Sequence, residues 1–305
     1  MMKVSAVMIT LALLGGLWWW FGPRAKPSAA DVAAAYQPLP APTAPLRVFH
    51  LGHSLVGRDM PAMLAQLAGD GHRYDSQLGW GTSLREHWEP DLPINGFDAE
   101  NDHPRFRAAR DAIGSGEYDT VILTEMVEIK DAVKYHKSGK YFPLWAGLAR
   151  QSNPDTRVYL YESWHNLDDP QGWLTRIDQD LPRHWEGEIL FADLAKAGDR
   201  PAYLIPAGQV MAGFARALSE RDGVDGIARI EDLFSDTIHV NDLGAYLVAL
   251  THYAVLYHRS PVGLPRQLQR ADGTPAQAPS AEAAALMQKI VWEVVTALPK
   301  TGVSK

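Results

Sequence analysis

Cysteine is absent from this 305-residue chain, which removes disulfides, thiolate metal sites and cysteine nucleophiles together. The same absence leaves the compartment open, because an exported domain need not carry cysteine. No long basic run occurs, and 29 lysines and arginines stand against 36 aspartates and glutamates, for a formal net charge of −7. A phosphate-backbone partner therefore has little electrostatic support, and nucleic acid is not an expected partner. No G-x-G-x-x-G opens a helix and no Walker loop is found, so dinucleotide and nucleotide enzymes lack support. H-E-x-x-H is missing too. His50, His53, Glu86 and His87 show no comparable metal-ligand spacing, and His50 falls inside an apolar run. The G-x-S-x-G elbow of the ordinary α/β-hydrolases is likewise absent.

What is present begins with an apolar stretch at residues 4–22, preceded by Lys3 and ending near Trp18, Trp19 and Trp20. Its length is close to the roughly 20 residues a helix needs to cross a bilayer, and indoles favour the membrane interface. A cleaved signal peptide has a shorter apolar region, about 7–15 residues, although "PSAADVAAAY" offers a cleavage-like site downstream. Residues 1–22 are therefore expected to be a membrane anchor or signal segment. The remainder is expected in the periplasm or outside the cell, and secreted if that segment is cut. Residues 23–46 are rich in alanine and proline ("YQPLPAPTAPL") and read as a semi-rigid extended tether. With 46% hydrophobic residues the chain can bury a large core, and residues 47–305 read as one domain.

That domain alternates short β-like runs with helical ones, the pattern of a parallel sheet covered by helices on both faces. Strands are expected at 47–51, 74–78, 120–124, 157–161 and 202–205, with 188–191 a sixth candidate. A helix is expected over 59–68, with Asp59 as N-cap and Pro61 in the first turn. Another follows Asn241 or Asp242, where Leu243, Tyr246, Leu247, Leu250, Ala254 and Tyr257 form one apolar stripe. Leu286, Ile290, Val294 and Leu298 form a second stripe before the polar tail "KTGVSK".

In an open α/β sheet, functional groups collect at the carboxyl ends of strands, where loops converge on a crevice. In "VFHLGHSLVG" an apolar strand runs straight into Ser54; "LGWGTSL" sets Gly81 after the second strand. Thr124 and Glu125 follow the third, and "YLYESWH" carries Glu162 through His165 after the fourth. Much later, "DTIHVNDLG" places Asp236 and His239 three residues apart. A serine hydroxyl is a poor nucleophile near neutral pH. It needs a neutral imidazole to take its proton and a carboxylate to fix that imidazole's tautomer. Ser54, His239 and Asp236 are that set. Attack on a carbonyl also develops an oxyanion, which calls for preorganised N–H donors such as the backbone groups of Ser54 and Gly81.

"GHSL" after the first strand, a glycine after the second and "DTIH" before the last long helix resemble the SGNH, or GDSL-type, hydrolase superfamily. The resemblance covers residues 47 to about 258. It implies a three-layer α/β/α sandwich with a parallel five-stranded, flavodoxin-like sheet, and esterase or acyl-transfer activity without a metal or organic cofactor. It also implies Ser54 as nucleophile, His239 as general base, Asp236 as its orienting carboxylate, and the Ser54 and Gly81 N–H groups as oxyanion donors. His53 occupies a position that varies in the family and is not catalytic. One block departs from the pattern: where the family has G-x-N-D, the third strand here ends "VILTEMVE". Glu125 takes the place of the asparagine, where it could act only when protonated or by binding a substrate hydroxyl. Loss of one such donor typically costs about 2.7–4 kcal/mol of transition-state stabilisation. His165 is a further candidate for substrate contact or for the missing donor, against the alternative of a packed histidine beside tryptophan.

Ten tryptophans, among them Trp80, Trp88, Trp145, Trp164, Trp173 and Trp185, exceed what a core of this size needs. Their rings can pack under loops or stack on sugar faces. The expected substrate is thus a small acyl ester or acylated carbohydrate, acetyl first, with an acyltransferase on an envelope glycan or a non-catalytic glycan-binding protein as the alternatives.

Overall fold

In the computed structural model, which describes residues 26–305, five parallel strands form one sheet: β1 Arg47–His53, β2 Arg73–Gly79, β3 Thr120–Thr124, β4 Arg157–Glu162 and β5 Tyr203–Pro206. Their order is β2-β1-β3-β4-β5. Apart from the edge strand β2, whose first three residues are exposed or half-buried, the strands are buried on both faces, which is why they read as near-continuous apolar runs. Alternate residues of β1 serve two cores. Val48 packs with the helices Asp59–Ala68, Ala207–Arg221, Asp242–Tyr257 and Ala281–Ala297. Phe49 and Leu51 face the opposite layer, built on Ala109–Gly114, Ser138–Ser152 and the segment after Leu181. This is the expected three-layer α/β/α sandwich.

The chain enters the sheet at β1, runs outward to β2, and returns to lay β3 on the other flank of β1. Connections leaving β1 and β3 therefore diverge at their carboxyl ends, and a crevice opens there. Ser54 is the first residue beyond β1.

Several local expectations need correction. Residues 188–191 are helical, not a strand: a wide-turn helix, Leu181–Leu190, runs directly into the helix Phe191–Ala197. A four-residue apolar run cannot distinguish a strand from a buried helix, and the spacing of buried Leu181, Trp185, Ile189 and Leu190 is helical. Asp59 is the first helical residue and not the cap; its Oδ1 accepts instead from the Ala271 N–H at 2.9 Å. Asn241, not Asp242, caps the late helix, accepting from the N–H groups of Leu243 and Gly244. That helix is buried all round, from Leu243 to Tyr257, so the stripe understated its burial. In the last helix the deepest side chains are Met287, Val291 and Val295. Ile290 and Val294 lie beside them and pack over Gly213.

The segment read as an extended tether is largely structured. Ser28 caps the helix Ala29–Ala35, and Tyr36 is buried edge-on to Tyr203 with ring centroids 5.5 Å apart. Leu39 N–H donates to the Gly302 carbonyl at 2.8 Å, and Arg157 donates to the Pro40 carbonyl at 2.7 Å. The tail is pinned in the same way, with Thr301 and Val303 buried. The apolar stretch at 4–22 lies outside the described residues, among which no helix is long and apolar enough to cross a membrane.

Candidate active site

Gly52 explains how β1 delivers Ser54. A Cβ at this position would lie 2.7 Å from Thr124 Cβ and 2.9 Å from Val56 Cγ2, so glycine permits β1 and β3 to close directly beneath the turn. The turn is tied by the His53 carbonyl, which accepts from Val56 N–H at 2.9 Å, and Gly57 adopts φ +58°. Burial lowers the His53 pKa to about 4, so its ring is neutral. Its Nε2–H donates to the Glu125 carbonyl at 2.8 Å, and Nδ1 accepts from Leu55 N–H at 3.3 Å. His53 thus fastens the Ser54 turn to the end of β3.

Ser54 Oγ lies 3.0 Å from His239 Nε2, across 185 residues of sequence. On the far side of the ring, Nδ1 lies 2.7 Å from Asp236 Oδ2. That carboxylate fixes the proton on Nδ1 and leaves Nε2 as the acceptor for the serine hydroxyl. Asp236 Oδ1 also accepts from the backbone N–H groups of His239 at 2.7 Å and Ile238 at 2.8 Å. These donors, with the imidazole, lower its pKa to about 2. The loop carrying both residues is anchored from β4: buried Trp164 donates Nε1–H to the Ile238 carbonyl at 2.8 Å, and Leu167 N–H donates to the Thr237 carbonyl at 2.8 Å.

Ser54 and His239 open into a cavity of about 590 Å³ whose wall includes Leu55, Trp80, Gly81, Glu100, Val127, Asn166 and Ile238. Gly81 has φ +57° and open space where a side chain would stand, so its backbone is accessible to a ligand. Trp80 is 54% exposed. Its ring is nonetheless fixed: Nε1 donates to Glu100 Oε1 at 2.7 Å, and one face covers Gly96, where a Cβ would come within 2.2 Å of the indole. A second, more polar cleft of about 380 Å³ also reaches Ser54 and is bordered by Arg58, Asp242 and Arg270.

Two predicted site residues are not brought to the cavity. Glu125 is fully buried, and its Oε1 accepts from the N–H groups of Met126 at 2.9 Å and Leu84 at 3.2 Å. It ties the segments after β2 and β3 together and is not on the wall of the cavity. His165 is 3% exposed and faces an ionic cluster, with Nε2 3.3 Å from Asp180 Oδ2. There Arg176 pairs with Glu128, with Asp169 at 2.7 Å and with Asp180 at 2.7 Å. Burial, and then Arg176, lower the His165 pKa to about 4. Glu128, His165 and Asp180 do place three potential metal-ligand atoms within 4.8 Å of one another. Arg176 already occupies the carboxylates, so a cation would have to displace it. Both misplaced candidates follow strand ends in sequence, but the first residues past a buried strand can still point into the core.

Burial raises the Glu125 pKa to about 7, against an ordinary value near 4.5. The fold therefore favours the neutral acid. The resulting stabilisation is fully present below about pH 4.5 and is lost as pH rises through 7. Glu125→Gln should remove that dependence, gaining on the parent between pH 5 and pH 8 by on the order of 3 kcal/mol. Urea unfolding at the two pH values checks this, and an equal difference at both contradicts it.

No family model matches the chain, and no curated protein matches it in sequence. Solved structures do. The fold resembles that of a DUF4886 family protein from Bacteroides uniformis, with TM-score 0.50 and 15% identity, covering 82% of this chain and 94% of that one. A protein from Parabacteroides merdae assigned as a GDSL-like lipase matches with TM-score 0.43 and 15% identity over 72% of this chain and 99% of its own. A carbohydrate esterase family 3 protein from Talaromyces cellulolyticus gives 0.36 and 15% over 69% and 96%. The first of these shares the layered α/β/α architecture built on a parallel sheet. At this identity the likeness concerns fold alone, and chemistry must be argued from the site. Of the cavity residues, Glu100, Val127, Asn166 and Ile238 were not legible as site residues in the sequence. Asn166 had a signal, being the first polar side chain after "ESWH" beyond β4.

Proposed function

We propose that the chain is a serine ester hydrolase, with Ser54 as nucleophile, His239 as general base and Asp236 as the group that orients it. The observation that carries this reading is the 3.0 Å contact between Ser54 Oγ and His239 Nε2, with Asp236 bound to the opposite ring nitrogen. As Oγ attacks the ester carbonyl carbon, Nε2 takes its proton and the carbonyl π pair moves to oxygen. The backbone N–H groups of Ser54 and Gly81 are assigned to that oxyanion. Collapse expels the alcohol oxygen, protonated by the imidazolium, and leaves an acyl group on Ser54. A water molecule, deprotonated by His239, then repeats the attack and releases the acid.

Substrate class follows from the two clefts that meet at Ser54. One carries apolar wall from Leu55, Val127 and Ile238, and the other is polar. An ester has two arms, and this pair of clefts suits a small acyl group on a polar alcohol. Trp80 narrows the alcohol further and draws it toward the larger cavity, because the rigid exposed indole on that wall, next to Gly81, offers a flat face for a sugar ring. The other domain tryptophans are buried or half-buried and account for themselves by packing. An acetylated saccharide is the proposed substrate. Anchoring and export through residues 1–22 remain part of the proposal on sequence grounds.

The test is turnover by the full chain of an aryl acetate and of an acetylated oligosaccharide, followed by acid release. Hydrolysis of both is expected. Saccharide binding without turnover of either ester would select a non-catalytic glycan-binding protein instead.

A further inference from the structure

The SGNH pattern supplies a third oxyanion donor from the end of the third strand, and here that position holds the buried Glu125. We propose that Asn166, from the loop after β4, supplies the missing donor through its side-chain amide. The assignment rests on the esterase reading above and concerns the same cavity.

The argument is an accounting of N–H groups on the cavity wall. His53 Nε2–H is committed to the Glu125 carbonyl, Trp80 Nε1–H to the Glu100 carboxylate, and His239 Nδ1–H to Asp236. Asn166 is the remaining side chain on that wall with N–H donors. It is exposed, and its Oδ1 accepts from the Thr237 hydroxyl at 3.2 Å. That bond sets the amide plane, and Nδ2 makes no hydrogen bond to any described residue.

Its mounting suits the role. Leu167 N–H donates to the Thr237 carbonyl at 2.8 Å, so the Asn166 loop is fastened to the loop that carries Asp236 and His239. Donor and base are thereby held as one unit, which is the preorganisation an oxyanion site requires. A lone uncommitted amide in a cavity that holds a serine–histidine pair, in a chain whose third strand ends on Glu125 and not on asparagine, points to the developing oxyanion.

Kinetics on the full chain with an aryl acetate separate this from a binding role. Asn166→Ala is expected to lower kcat by about 10²–10³, with KM changed less than about threefold. Asn166→Asp, which keeps the shape and removes the donors, should lose at least as much. The rate of labelling by a fluorophosphonate should fall in parallel, since its phosphoryl oxygen takes the oxyanion position. Asn166 is exposed, so the unfolding midpoint of both variants should match the parent. Thr237→Val, which frees the amide to rotate, should give a smaller loss in kcat and again spare KM. Near-parental kcat in Asn166→Ala, or a raised KM at constant kcat, overturns the donor assignment while leaving the esterase reading in place. Turnover that survives Ser54→Ala overturns the reading on which it stands.

Discussion

Ser54→Ala should abolish turnover of a short-chain ester, with kcat falling by about 10⁴–10⁶, while the protein remains folded. The expectation follows from position. Ser54 lies beyond the end of β1, and its hydroxyl's partner is a ring nitrogen on a half-exposed histidine, so removing the hydroxyl strands no buried polar group. Packing beneath the turn depends on Gly52, His53 and Val56, which the substitution leaves untouched. Steady-state hydrolysis of an aryl acetate, with far-ultraviolet circular dichroism on the same samples, checks both halves. Full activity in Ser54→Ala would mean that another group attacks the ester.

The second large effect belongs to the base and its carboxylate. His239→Ala should cost as much as Ser54→Ala, and the double variant should lose little more than either alone, because the two side chains act as a unit. Asp236→Asn should lose about 10³–10⁴ by favouring the wrong imidazole tautomer. Asp236 is held at about 2 by the imidazole and two backbone N–H groups. A carboxylate lowered in this way stays ionised above that value and protonates only as pH falls through it. The acid limb of a pH–rate profile should therefore not arise from Asp236, and it should keep its position in Asp236→Glu even as the rate drops. Kinetics from pH 4 to 9 on the parent and both variants test this. A double variant whose loss equals the product of the two single losses would show that serine and histidine act independently.

The sequence disclosed most about the sheet and about the groups that sit on short, well-marked loops. Four runs of valine, leucine, isoleucine and tyrosine became β1, β3, β4 and β5, because a strand buried on both faces leaves a local, nearly continuous apolar signature, whereas the edge strand β2 carries Asp75, Ser76 and Gln77. The Ser54, Asp236 and His239 positions could be named because glycines and turn residues punctuate them. What escaped were features decided by long-range packing. Residues 188–191 carry a strand's composition but are helical because Trp185 and Ile189 must face the same core. Residues 36–46 look like a proline spacer, yet Tyr36 finds Tyr203 across the sheet's edge. Glu125 and His165 follow strands just as Ser54 does, and nothing local states that their side chains turn inward. Their surroundings are set by groups from other parts of the chain, Leu84 for Glu125 and the Arg176–Asp180 pair for His165. Trp80 stood among ten tryptophans with no mark to separate it, since its fixed, exposed ring depends on Gly96 and Glu100.

The most direct test of the central claim is covalent. A serine-directed fluorophosphonate, applied to the native chain and mapped by peptide mass, should form one adduct on the peptide that holds Ser54. His239→Ala should suppress it, and so should unfolding in urea before exposure. An unlabelled Ser54 in the native protein, or labelling that persists undiminished without His239, would contradict the account.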